Sequence, residues 1–270
     1  MKKRIIIVSI LLTFLLVGIF LVAVSWGSYT IPFDEVIMTL LGNGSKLQTT
    51  TIWDIRLPRL VVAMVVAISL STSGCILQSV TRNELAEPGM IGINAGAALA
   101  VVFLISYGQS NYYDTLGNGA LFVMPLVAIL GALLSGGLIY RLSYKNGVSP
   151  TRLILTGIGV NVGINAIISL YQLNMSKGDY NQVLTWISGS LWGSSWKYFY
   201  LITPLVLVFL VLSVWKLKKL DVLDLGDEIA TGLGVNVEKE RRTLFIYAIA
   251  LAALATSVAG NIAFLGLLGP

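Results

Sequence analysis

The 270-residue chain is 56% hydrophobic and 11% charged, with a mean hydropathy of +0.84, which excludes an ordinary soluble globule and marks an integral membrane protein. It has 18 Lys and Arg against 13 Asp and Glu, no His and one Cys. The absent His removes the commonest general base, and the lone Cys75 has no second thiol for a disulfide or a shared metal.

Charge-free runs long enough to cross roughly 30 Å of hydrocarbon fall at 5–26, 60–80, 90–107, 116–140, 153–175, 198–215 and 243–259. They predict an all-α polytopic bundle of about seven spans in one membrane domain over 1–270. The first run follows Lys2, Lys3 and Arg4 like a signal peptide, but no small-residue cleavage site with a soluble domain follows, so it is read as a retained helix. With the N-terminus in the cytoplasm, most basic residues fall on inner segments and only Lys46, Arg56, Arg59, Lys177 and Lys197 fall outside. Orientation thus explains the basic balance without a nucleic-acid partner.

None of the seven runs contains Asp, Glu, Lys or Arg, which disfavours an ion-coupled carrier or voltage sensor, although sodium can be held by neutral oxygens. "GIGVNVG" at 157–163 lies inside an apolar run with no strand before it, so it is not a dinucleotide loop, and no phosphate-binding G-x-x-x-x-G-K-[ST] occurs. No metal cluster or cofactor signature appears. Small pairs at i, i+4 (Gly92 and Gly96, Gly131 and Ser135, Gly159 and Gly163) suit close helix packing. Asn161, Asn165 and Gln172 share one helical face at 100° per residue. They fit either the lining of a wet path for a polar solute or interhelical hydrogen bonds, and both readings stand.

Between the last two runs, residues 216–242 are charged and glycine-punctuated. Val222, Leu225, Ile229 and Leu233 follow spacings of 3, 4 and 4 as one apolar stripe, interrupted at Gly226 and stopped at Gly234. Asp227 is placed as an N-cap after the break, giving two short helices with a bend between them at 220–235. Helices this short are marginal in water and need a partner surface. Asp221, Asp224, Asp227 and Glu228 oppose an anionic membrane face and favour a cytoplasmic protein.

"LDLGDEIATGLGVNV", 223–237, resembles the ATPase-coupling segment of FecCD-type permease subunits, which serve ABC importers of iron–siderophore complexes, haem and cobalamin. Three further stretches resemble the same family in the same order: "RLPRLVVAMVVAISLSTSGCILQSVTRNELAEPGMIGINAGAALA" at 56–100, "WISGSLWGSSW" at 186–196 and "GNIAFLGLLGP" at 260–270. The resemblance implies an ATP-driven importer carrying a bulky metal chelate from a solute-binding protein to the cytoplasm of a bacterial cell, by alternating access and without covalent chemistry. Its partners would be a separate ATP-binding subunit, an extracytoplasmic solute-binding protein and a second permease subunit.

By the same resemblance, Leu223, Leu225, Gly226, Asp227, Ile229, Ala230, Leu233 and Gly234 form the coupling element. Arg56 and Arg59 would meet acidic residues of the binding protein, with interfacial snorkelling as the plainer reading. Asn83 and Leu85 would belong to the inner gate, and Asn161, Asn165 and Gln172 to the pathway. Trp186, Trp192 and Trp196 read mainly as an aromatic belt. The chain departs from the family at Glu84, where Pro is more usual. It also ends at Pro270, within the last motif, where the family continues to about ten spans, so a C-terminally truncated permease is expected. A non-transporting truncated paralogue and an ion-coupled secondary carrier are the alternatives.

Overall fold

The computed structural model describes residues 2–107, 120–145 and 147–270. Among them, six stretches are long and apolar enough to cross a membrane: Ile6–Ser25, Lys46–Thr81, Phe122–Ser143, Pro150–Leu173, Trp196–Asp224 and Val237–Ala259. Ile93–Tyr107 is a shorter apolar helix. These seven match the seven apolar runs in order; positions 116–119 of the fourth run lie outside the described residues. Lys2–Ser25, Leu57–Thr81, Trp196–Asp224 and Val237–Ala259 extend beyond their runs, because an apolar stretch marks the bilayer whereas backbone hydrogen bonding continues past it, and Ile93–Tyr107 begins three residues inside its run.

The chain divides into two compact units, Met1–Met64 with Trp192–Phe199, and Val65–Leu191 with Tyr200–Pro270. The first contains α1 (Lys2–Ser25), α2 (Phe33–Leu40), α3 (Lys46–Thr49), a π-helical stretch (Thr50–Arg56) and the start of α4 (Leu57–Thr81). Phe20 and Val24 of α1 pack with Ile31, Val36, Ile52, Leu57 and Leu60. The apolar window of α1 buries none of its residues within the chain; a helix apolar all round suits contact with lipid. Ser45 starts α3 with a reciprocal capping box to Gln48.

The second unit holds the rest of α4, then α5 (Ile93–Tyr107), α6 (Ala120–Ser143), α7 (Pro150–Leu173), α8 (Lys177–Ile187), most of α9 (Trp196–Asp224), α10 (Asp227–Gly232), α11 (Val237–Ala259) and α12 (Leu265–Leu268). Its centre is α11, whose Ala248, Ala252, Ala253 and Ala255 are fully buried. Small side chains let backbones approach where lipid supplies no hydrophobic drive between helices. Ser69 and Ser73 of α4 use that proximity, donating to the carbonyls of Leu251 at 2.9 Å and Ala248 at 2.7 Å.

Gly96 of α5 and Gly131 and Ser135 of α6 form the expected small-residue contact: a Cβ on Gly96 would overlap Ser135, and one on Gly131 would overlap the Gly96 carbonyl. Ser135 also donates to the Gly92 carbonyl at 2.8 Å. Gly159 and Gly163 differ, since a Cβ on either meets nothing within 4 Å. Instead, Gly157 of α7 packs on Ile91, where a Cβ would lie 2.8 Å from the Ile91 carbonyl oxygen.

Candidate functional site

The end of α9 and the start of α11 bracket the charged stretch singled out from sequence. The residues before Gly226 continue α9 unbroken to Asp224, so only the segment after Gly226 is a separate short helix, the six-residue α10. Gly226 adopts φ +117, a conformation that favours glycine, and itself occupies the N-cap. Asp227 is therefore the first helical residue and not the cap, because its side chain is drawn sideways to two arginines. The far end closes as a Schellman motif: Val235 N–H bonds to the Ala230 carbonyl at 3.0 Å and Gly234 N–H to Thr231 at 2.9 Å, with Gly234 at φ +80.

Arg241 Nη2 donates to Asp227 Oδ1 at 2.8 Å, and Arg82 Nη2 donates to the same oxygen. Burial works to raise the Asp227 pKa, but the hydrogen bonds and charges of Arg241 and Arg82 outweigh it and hold the carboxyl below the ordinary aspartate value. Arg82 also donates to the Leu223 carbonyl from Nε at 3.1 Å and Nη2 at 2.9 Å. Arg241, 5% exposed, donates through Nη1 to the Val148 carbonyl at 2.8 Å. A second cluster lies nearby: buried Glu240 of α11 pairs with Lys216 of α9 at 2.6 Å and with Lys219.

The predicted coupling residues separate by role. Leu223 is 1% exposed and Ala230 fully buried, so they anchor the element and cannot touch a partner. Leu225, Ile229 and Leu233 are 58%, 53% and 61% exposed. The stripe is thus split between the end of α9, α10 and the residue capping it.

The turn at 82–92 follows α4. Arg82 has φ +48, and Asn83 Oδ1 accepts from Leu85 N–H at 3.0 Å, while Leu85 itself is exposed. Glu87 is buried and accepts the Phe264 N–H at 3.0 Å. Burial pushes its carboxyl pKa up, with the Phe264 N–H pulling the other way. The 261–268 segment is seated against α4 by bare backbone: a Cβ on Gly74 would fall on the Gly266 carbonyl oxygen.

This turn forms one wall of a polar cleft of about 300 Å³, lined also by Asn94, Asn161, Asn165 and Asn261. Asn161 donates to the Gly89 carbonyl at 3.2 Å, Asn165 donates to Asn161 Oδ1 at 2.7 Å, and Asn94 donates to Asn261 Oδ1 at 2.9 Å and accepts from Thr256. Asn161 and Asn165 therefore both line a polar cavity; Asn161 ties α7 to the turn at Gly89, whereas Asn165 bonds within α7 to Asn161. Gln172, half-buried further along α7, is not among the lining residues.

The FecCD transport family matches residues 14–270. The chain belongs to that family. Among FecCD relatives, the iron(3+)-hydroxamate import system permease protein FhuG of Bacillus subtilis (strain 168) is 44% identical over 259 residues, covering 96% of this chain and 77% of the relative. The ferric enterobactin transport system permease protein FepG of Escherichia coli (strain K12) is 31% identical over 261 residues, covering 95% and 76%. A solved metal-chelate type ABC transporter in an inward-facing conformation has a TM-score of 0.82 at 26% identity, covering 95% of this chain and 77% of that one. The chain is accordingly a multi-pass membrane transport subunit with an all-α permease fold.

Arg56 and Arg59 lie in the first unit and do different things. Arg56 donates to the carbonyls of Val24 at 2.5 Å, Ser25 at 3.0 Å and Tyr29. It helps satisfy the carbonyls at the C-terminus of α1, where the Ile31 N–H also bonds to the Ser25 carbonyl at 3.1 Å. Arg59 is exposed, with its guanidinium carbon 5.5 Å from the centroid of the Trp192 ring, a cation–π arrangement.

Sequence reasoning missed Arg82, Arg241, Glu87 and Asn261 as parts of these sites. Asp227 lies 145 positions from Arg82, and Glu87 lies 177 from Phe264; no local periodicity encodes such pairs. The only available signal was Glu87 itself, an acidic residue beside Pro88 and Gly89 between two apolar runs.

Proposed function

We propose that this chain is the membrane-spanning permease of an ATP-driven importer for ferric–siderophore complexes or a similar bulky metal chelate. A single observation carries the reading: α10 and its flanks present Leu225, Ile229 and Leu233 outward while Leu223, Ala230 and Asp227 fix the element to the bundle. A six-residue helix with exposed apolar side chains needs a partner, and a cytoplasmic ATPase subunit fits it. ATP hydrolysis then belongs to that subunit and solute movement to this one.

Two relatives are named for the import of iron(3+)-hydroxamate and the transport of ferric enterobactin. Amides at Asn94, Asn161, Asn165 and Asn261, together with the Glu87 carboxyl, offer donors and acceptors to such a chelate. At about 300 Å³ the cleft is at the small end of ligand sites, so a bulky chelate passes only when the bundle opens, as alternating access requires. The N-terminus and the 220–235 element face the cytoplasm in this reading, with Asn83 and Leu85 at the inner gate. Arg59 faces a solute-binding protein, and a second permease subunit completes the pathway.

Gentle detergent purification of the chain from its native membrane, with mass spectrometry of whatever accompanies it, tests the proposal. Recovery of an ATP-binding subunit and an extracytoplasmic solute-binding protein is expected. Recovery of the folded chain with neither would overturn it.

A further inference from the structure

The docking helix is poorly placed to drive the bundle through its own backbone. Gly226 at φ +117 and Gly234 at φ +80 flank α10, and a Cβ built on either meets nothing within 4 Å. Glycines at positive φ break helical continuity on both sides of α10, so no unbroken helix carries its movement into α9 or α11. What ties α10 to the spans is the burial of Ala230 and the carboxylate of Asp227.

That carboxylate stands between two unlike posts. Arg241 is 6% exposed in its side chain and bonded to the Val148 carbonyl, so it is fixed on α11. Arg82 is 33% exposed in its side chain and is the first residue after α4, at φ +48, where the turn at 82–92 begins. From Arg82 onward the turn is braced: Asn83 Oδ1 holds Leu85 N–H, Glu87 Oε2 holds Phe264 N–H, and the Gly89 carbonyl accepts from Asn161. Glu87, Gly89, Phe264 and Asn161 all line the polar cleft. A continuous set of directional contacts thus runs from α10 to the cleft wall, and the Arg82–Asp227 pair is its first link.

We propose that Asp227 is a positioning residue that passes movement of α10 through Arg82 into the turn at 82–92, opening or closing the cleft, while Arg241 supplies the fixed reference. The inference rests on the reading of α10 as the ATPase-docking helix. It assigns attachment and transmission to different side chains: Leu225, Ile229 and Leu233 hold the motor, and Asp227 carries its stroke.

The test uses the complete transporter, with permease pair, ATPase subunit and binding protein, in proteoliposomes. The readout is ferric chelate accumulated per ATP hydrolysed, with the ATPase-to-permease ratio measured on the same sample. Asp227→Ala and Arg82→Ala are each expected to lower chelate per ATP about tenfold, in the range of ordinary coupling factors, while the ATPase subunit stays stoichiometric. The double variant is expected to be no worse than the poorer single, because both remove one link. If either alanine variant fails to assemble, Asp227→Asn and Arg82→Lys are read the same way, and Asp227→Glu is expected to restore at least half the ratio. An unchanged ratio in the single variants, or losses that multiply in the double, overturns the inference. Wild-type protein that accumulates chelate without ATP overturns the docking reading itself, so the two failures are distinguishable.

Discussion

Leu233→Asp isolates the exposed docking face from the fold. Leu233 is 61% exposed, and full burial of a leucine side chain is worth about 1.5–3 kcal/mol, so a partner that covers it gains about 1–2 kcal/mol from this residue. Placing a carboxylate in an apolar contact adds a further penalty of about 2 kcal/mol or more. The sum, about 3–4 kcal/mol, corresponds to roughly a 100- to 1,000-fold loss of affinity at about 1.4 kcal/mol per decade. Titration of labelled ATPase subunit onto the permease in nanodiscs measures the change directly. Insertion and thermal stability should stay at wild-type levels, because Leu233 takes no part in the buried core. An affinity within threefold of wild type would refute the assignment of this face.

Five more substitutions separate packing, anchoring and charge. Gly74→Val should lower thermal stability by about 1–3 kcal/mol through overpacking against the Gly266 carbonyl, whereas Gly163→Ala, with open space around it, should leave it unchanged or higher; equal effects in a detergent melting series would contradict the packing. Arg56→Ala should cost about 2 kcal/mol at the end of α1, from the lost charge-assisted bonds to carbonyls at a partly exposed site, and speed amide exchange over 25–31. Arg59→Ala should instead slow binding-protein association and flatten its salt dependence, and the assignment fails if the two variants behave alike. Glu87 has a raised folded-state pKa, so its ionisation is disfavoured by folding. Stability is lost as pH rises from the ordinary glutamate value, about 4.3, through the raised folded value. Glu87→Gln keeps an acceptor for Phe264 N–H, so at neutral pH it should melt at or above wild type, with the difference vanishing in acid. A variant less stable than wild type at neutral pH, with the deficit vanishing in acid, would show that the charge itself is needed.

The apolar runs locate every span found among the described residues, because crossing a bilayer demands length and hydropathy, which are local properties of sequence. Other features depend on distant partners. Asp227 follows a glycine before a helical stripe, the pattern of an N-cap, yet Arg82 and Arg241 claim its carboxylate and Gly226 takes the cap by its left-handed backbone. Arg56 and Arg59 are equivalent as sequence, two basic residues around Pro58. They part only because the carbonyls at the end of α1 fall within reach of one of them. The small residues of α7 show the same limit: three glycines lie at 157, 159 and 163, and only Gly157 meets a neighbouring backbone. α8, with its polar composition and Ser176 cap, lies outside the apolar runs altogether and escapes a search by hydropathy.

ATP-dependent uptake is the most direct measurement of the central claim. The purified permease, assembled with its ATPase subunit in proteoliposomes and supplied with chelate-loaded binding protein, should accumulate ferric chelate only when ATP is hydrolysed on the coupling-helix side, with no imposed ion gradient. Accumulation driven by a proton or sodium gradient without ATP, or ATP hydrolysis with no accumulation by the intact assembly, would contradict the account.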